Sequence, residues 1–143
     1  MEAAIIEGKN DSGKTGICNE LIGVEKTIVN LRPGKYKNKI CLVKINNKNC
    51  LIVSEGDNEA CIENIKDYYE ELINNYNKTV DFLIVTARTN TKKDLVAKAK
   101  SILRAIDSTI KIHEFQTSKS KNPNFSISKE IYKQGQKIQN VIK

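Results

Sequence analysis

Tryptophan is absent, histidine and methionine occur once each, and arginine fills only three of the 24 basic positions, Arg32, Arg88 and Arg104. A lone histidine, His113, argues against a histidine-rich metal centre and reads as a structural strand residue. The cysteines Cys18, Cys41, Cys50 and Cys61 form no CxxC pair, so a zinc site is disfavoured and each reads as a reduced, core-filling thiol. No apolar run approaches the ~20 residues that a bilayer span needs, which argues against a membrane protein. The first six residues lack the basic region and long apolar segment of a secretory leader, which predicts the cytoplasm.

What remains is ordinary for a folded chain: with 39% hydrophobic and 29% charged residues, 143 positions suit one domain spanning 1–143. The net charge of +7 comes almost wholly from lysine, in a chain crowded with Asn and Ile, a pattern that codon bias in an AT-rich genome produces. Lysines concentrate only at 35–48 and 119–143, without the aromatic interleaving of a base-stacking surface. A nucleic-acid partner therefore stands behind a small anionic ligand, and a protein partner stays open.

Hydrophobic periodicity predicts a strand at 3–7, a polar loop to Gly13, and a helix over 14–24 in which Ile17, Leu21 and Ile22 share one face. Residues 30–35 read as a surface loop. Two β-rich runs at 39–45 and 49–54, separated by Asn46-Asn47-Lys48, read as an antiparallel hairpin. Asp57-Asn58 is placed to cap a helix over 59–76. The run 80–87 is apolar on both faces, as a buried parallel strand is, and 91–106 returns to helix. A strand at 109–115, a polar run 116–124 and a basic amphipathic helix from about 126 to 137, within a basic 125–143 segment, complete the chain. The sum is an α/β fold: a three-layer sheet of about five strands, mostly parallel, with one antiparallel hairpin.

Gly8-Lys9-Asn10-Asp11-Ser12-Gly13-Lys14-Thr15 fits GxxxxGK(S/T), between a predicted strand and a predicted helix that continues through Gly16. In that context backbone N–H groups and a helix N-terminus converge on phosphate oxygens, and a side chain at Gly13 would hinder the approach. Through this motif the chain resembles the P-loop NTPase superfamily, over its whole length in element order and over eight residues in motif. The resemblance implies that residues 8–16 hold ATP or GTP, that Lys14 contacts the β- and γ-phosphates, and that the Thr15 hydroxyl ligates Mg²⁺. The hairpin after the first helix looks like the small GTPase arrangement more than the nucleotide-kinase one. Where GTPases carry DxxG this chain has Ser54-Glu55-Gly56-Asp57, and no NKxD is present.

A triphosphate-bound magnesium is held, often through water, by a carboxylate at the end of a strand beside the phosphate loop. Asp57 and Glu55 are the candidates, Asp57 being favoured because Gly56 lets the chain bend, although an N-cap role would equally explain it. Arg88, ending the buried strand, could contact a γ-phosphate or stabilise charge during transfer. The adjacent-strand logic predicts that the strand at 49–54 pairs with the strand at 3–7. The leading functional reading is a Mg²⁺-dependent NTPase acting as a switch or regulatory module. A small-molecule or nucleotide kinase and a non-catalytic nucleotide-dependent binding module remain the alternatives.

Overall fold

Strand β1 (Glu2–Gly8) owes its place at the centre of the molecule to Ala3, Ala4, Ile5 and Ile6, all completely buried. Alternation along the strand sends Ala3 and Ile5 to one face of the sheet and Ala4 and Ile6 to the other. The computed structural model describes residues 1–9, 12–24, 26–32, 39–117 and 127–142. In chain order β1 is followed by α1 (Lys14–Val24), β2 (Thr27–Asn30), β3 (Ile40–Ile45), β4 (Lys48–Val53), α2 (Glu59–Asn74), β5 (Phe82–Arg88), α3 (Leu95–Ile106), β6 (Lys111–Gln116) and α4 (Ile127–Val141). No helix among the described residues is long and apolar enough to cross a membrane.

The strands form one mixed sheet in the order β2-β3-β4-β5-β1-β6. β4, β5, β1 and β6 run parallel, whereas β3 is antiparallel to both β4 and β2. Helices α2 and α3 cover the face that carries Ile5, Leu51, Val53, Leu83 and Val85. Helices α1 and α4 cover the opposite face, with Ile17, Leu21 and Ile138 packed on Ile6, Ile52 and Ile84. Each fully buried Ile or Leu removes enough apolar surface to contribute about 1.5–3 kcal/mol, so the two-sided core is the main stabilising term.

Several expectations need correcting. The sheet has six strands rather than five, because the four-residue β2 extends the hairpin sheet by pairing with β3. The strand at 49–54 does not pair with the first strand: β5 lies between β4 and β1. β5 is buried from Phe82 to Ala87 and needs cover and neighbours on both sides, so it takes the central place. The hairpin turn is two residues rather than three, with Asn46 and Asn47 at φ 51° and 65° and Lys48 already in β4, the geometry that matches strand twist. Helix α3 starts at Leu95, where the Asp94 carboxylate accepts from the Ala97 N–H at 3.0 Å, and α4 runs four residues past the predicted end. The loop at 33–38 and the polar run at 118–124 lie outside the described residues.

All four cysteines are free, three of them buried, and burial pushes the Cys18 thiol up to about 12. Cys18, Cys41 and Cys50 fill the core as expected, whereas Cys61, on the first turn of α2, is only partly buried. His113 bonds Glu2 at 2.9 Å and stacks on Phe82 at the amino edge of the sheet, where its hydrogen bond holds the Glu2 carboxyl below the usual carboxylate range.

Candidate functional site

Parallel strands deliver their carboxyl ends to one edge of the sheet, and the glycine-framed loop beginning at Gly8 leaves β1 at that edge. Gly8 is the last residue of β1, and its carbonyl accepts from the Thr89 N–H at 2.8 Å. A Cβ on Gly8 would overlap the Thr117 hydroxyl and crowd Ser12 Oγ, so only glycine fits. Those two hydroxyls share a hydrogen bond of 2.6 Å that ties the loop to the residue following β6. Gly13 has φ 96°, the left-handed region open to glycine, and its carbonyl accepts from the Ile17 N–H at 2.9 Å to start α1.

Lys14 begins α1, is only 7% exposed, and folds back so that Nζ donates to the Lys9 carbonyl at 2.7 Å. Thr15 follows on the first turn, half-buried, and Gly16 admits Ile131 of α4, whose Cδ1 would lie 2.6 Å from a Cβ there. Asn10 and Asp11 lie outside the described residues.

No family model, curated protein or solved structure matches this chain. Its site is therefore built from its own geometry.

Arg88 ends β5 directly opposite Gly8 in the parallel register. The alternation that puts Phe82 and Ile84 among the residues under α1 places Arg88 on that same face. Its Nε is buried and has no hydrogen-bond partner among the described residues. A Cβ on Gly56 would overlap the Thr86 carbonyl, and the Gly56 carbonyl accepts from the Arg88 N–H at 2.9 Å, so the chain leaving β4 is drawn tight against β5.

The two acidic candidates part company. Glu55 forms an ion pair with Arg32, whose other terminal nitrogen donates to the Tyr68 hydroxyl of α2 at 2.9 Å. That hydrogen-bonded carboxylate raises the guanidinium pKa above its already high ordinary value. Glu55 thus lies on the α2 side of the sheet with its charge already met. Asp57 is exposed and does not cap α2: Asn58 is the N-cap, its side-chain oxygen accepting from the Cys61 N–H at 2.9 Å. Asp57 instead lines an open crevice of about 500 Å³ with Asn58, Thr91, Lys93 and Leu95. Because β5 intervenes, both carboxylates start roughly 10 Å, two strand spacings, from the β1 line.

The sequence assigns no functional role to Glu7 or Arg32, and Thr117 appears there only within the polar run 116–124. Glu7 precedes the loop and is 8% exposed. Its Oε1 accepts from Gln116 Nε2 at 3.1 Å, and its Oε2 is buried without a partner among the described residues. Burial pushes this carboxyl above the usual range, and neighbouring Glu114, itself paired with Lys100 at 2.7 Å, adds to the rise. A charge ending an apolar strand gives no sequence signal of burial. Thr117 had one faint signal, its position just after the last strand.

Proposed function

We propose that the chain binds a nucleoside triphosphate in the loop 8–16 and hydrolyses it with Mg²⁺, as a switch or regulatory module. The observation that carries this reading is the loop itself. It leaves a central parallel strand, requires glycine at Gly8 and Gly13 by close approach and by φ, and holds a buried lysine on its own Lys9 carbonyl. Such a lysine is poised to exchange one oxygen acceptor for a phosphate oxygen, and the first turn of α1 presents its free N–H groups to the same anion. Arg88, whose Nε beside Gly8 has no partner among the described residues, supplies a second cation.

A hard divalent cation at the phosphates would be held from this chain by the Thr15 hydroxyl, since Glu55 is committed to Arg32 and Asp57 starts two strand spacings from the β1 line. The metal would supply charge neutralisation at the phosphates. In hydrolysis a water oxygen bonds to the γ-phosphorus as the bond to the bridging oxygen breaks, giving a nucleoside diphosphate and inorganic phosphate. Lys14 and Arg88 hold the non-bridging oxygens as negative charge shifts toward the leaving diphosphate.

Mass analysis of the nucleotide that co-purifies identifies the base and the phosphate count. Titration calorimetry with ATP and GTP on the wild type and Lys14→Ala tests the site: binding of one nucleotide by the wild type and its loss in the variant are expected. Equal affinity in the two proteins overturns the assignment.

A further inference from the structure

Helix α4 packs its apolar side on α1 through Ile131 and Ile138, and Ile142 just beyond its end joins the same core. Both ends of the helix are anchored. Ile131 fills the space left by Gly16, and the Asn46 side chain of the β3–β4 turn donates to the carbonyls of Gln139 and Ile142 at 3.2 and 2.7 Å. The outward side reads Lys129, Tyr132, Lys133, Lys137 and Asn140, all exposed, at the i, i+3, i+4, i+8 and i+11 positions of one helical stripe. The acidic groups nearby lie off that stripe: Glu130 accepts from Gln134 at 2.8 Å, and Glu20 of α1 packs beneath Gly135.

Lys66, Lys93, Lys98 and Lys100, on or beside α2 and α3, each meet a glutamate within 4 Å. Lys133 and Lys137 meet none among the described residues. Lysines that meet no carboxylate also occur elsewhere among the described residues, at Lys26, Lys44, Lys48 and Lys78; the stripe adds an exposed aromatic ring to two such lysines. Tyr132, at 59%, is also more open to solvent than the other exposed large hydrophobic side chains, Ile73 and Tyr76. Lysines four residues apart recur about every 6 Å along a helix, comparable to the spacing of successive phosphates on an extended strand, and the ring of Tyr132, next to Lys133, offers a base a stacking face.

We infer that this stripe of α4 is a docking surface for single-stranded nucleic acid. The lysines take the backbone phosphates and Tyr132 takes a base. Tyr132 adjoins Lys133 in the sequence, and winding the helix brings both onto one stripe with Lys129 and Lys137. This inference stands independently of the nucleotide reading, because the stripe and the phosphate loop share no residue.

The test is fluorescence anisotropy of the full chain with a labelled oligothymidylate of about 20 nucleotides across a salt series, each variant's melting temperature being recorded alongside. Expected are binding that weakens with salt and an at least tenfold loss in Lys133→Glu with Lys137→Glu, reproduced in part by the neutral Lys133→Gln with Lys137→Gln. Each lysine charge removed should flatten the log–log salt slope by about 0.7. Tyr132→Ala should cost roughly fivefold or more and Tyr132→Phe little. Lys14→Ala should bind the oligonucleotide like the wild type; loss there would place the oligonucleotide in the phosphate loop and overturn the inference. Unchanged affinity in the lysine and tyrosine variants also overturns it. So does equal or tighter binding of the matching duplex, or displacement of the oligonucleotide by polyglutamate as effective as by unlabelled oligothymidylate.

Discussion

Arg88 and Glu7 lie at the carboxyl ends of neighbouring strands, and each carries a buried polar atom without a partner among the described residues. Unpaired buried polar atoms cost about 1–3 kcal/mol, so they persist where something else uses them. For Arg88 the expected use is the triphosphate. If its contact forms mainly as charge develops in the transition state, Arg88→Ala lowers kcat by tenfold or more and leaves affinity nearly unchanged, whereas a ground-state clamp weakens binding instead. Steady-state kinetics with calorimetry on the one variant separates the two, and a change under about twofold in both makes Arg88 a structural residue. Glu7 has the opposite sign. Its folded pKa is raised, chiefly by burial, so the native state holds its proton longer than the unfolded state does. The stability this contributes is complete below the ordinary carboxylate range and is lost as pH climbs through the raised value. Glu7→Gln keeps the bond to Gln116 and never ionises. It should therefore melt above the wild type near neutral pH and approach it as pH falls into the ordinary carboxylate range, as melting curves across pH would record.

At the scale of elements, local chemistry sets where helices and turns begin, and tertiary contacts set what they carry. Asn58 rather than Asp57 caps α2, which leaves Asp57 exposed at the crevice beside Lys93. Asn58→Ala should lower stability by about 1 kcal/mol, a fall of 2–4 °C in Tm, with nucleotide affinity unaltered. Losing the cap and losing affinity together would mean that the start of α2 helps to shape the site. The loop that follows β1, by contrast, is held from outside its own segment. Thr117, 105 residues along the chain from Ser12, bonds its hydroxyl at 2.6 Å, and Ile131 of α4 fills the notch at Gly16. Thr117→Val removes the bond at nearly constant volume. It should cost about 1 kcal/mol of stability and weaken triphosphate binding several-fold, because a loop no longer held must be ordered by the ligand. Calorimetry and melting curves on that variant check both.

For the whole molecule, a ligand that binds only the folded state stabilises it by mass action, by about 2.7 kcal/mol at one hundred times its Kd. Saturating nucleotide with Mg²⁺ should raise Tm by several degrees in the wild type and not in Lys14→Ala, as differential scanning calorimetry would reveal. Much of this architecture was legible beforehand. The loop from Gly8 to Thr15, the periodic helices α1, α2 and α3, the hairpin and the doubly apolar β5 all follow from patterns within a few residues of one another, where backbone chemistry and side-chain period act directly. Three matters were not legible. β2 is short enough to pass for a loop margin, strand order depends on which faces must be covered, and the partners of Glu55 and Ser12 arrive from Arg32 and Thr117. The amino-acid sequence by itself determined the α/β class, the order of the elements other than β2 and the glycine spacing at Gly8 and Gly13, because each is encoded in local spacing. Only the tertiary structure decided that β5 separates β4 from β1, that Glu55 spends its charge on Arg32, and that Glu7 is buried, because burial and pairing are properties of surfaces that meet only when distant segments pack.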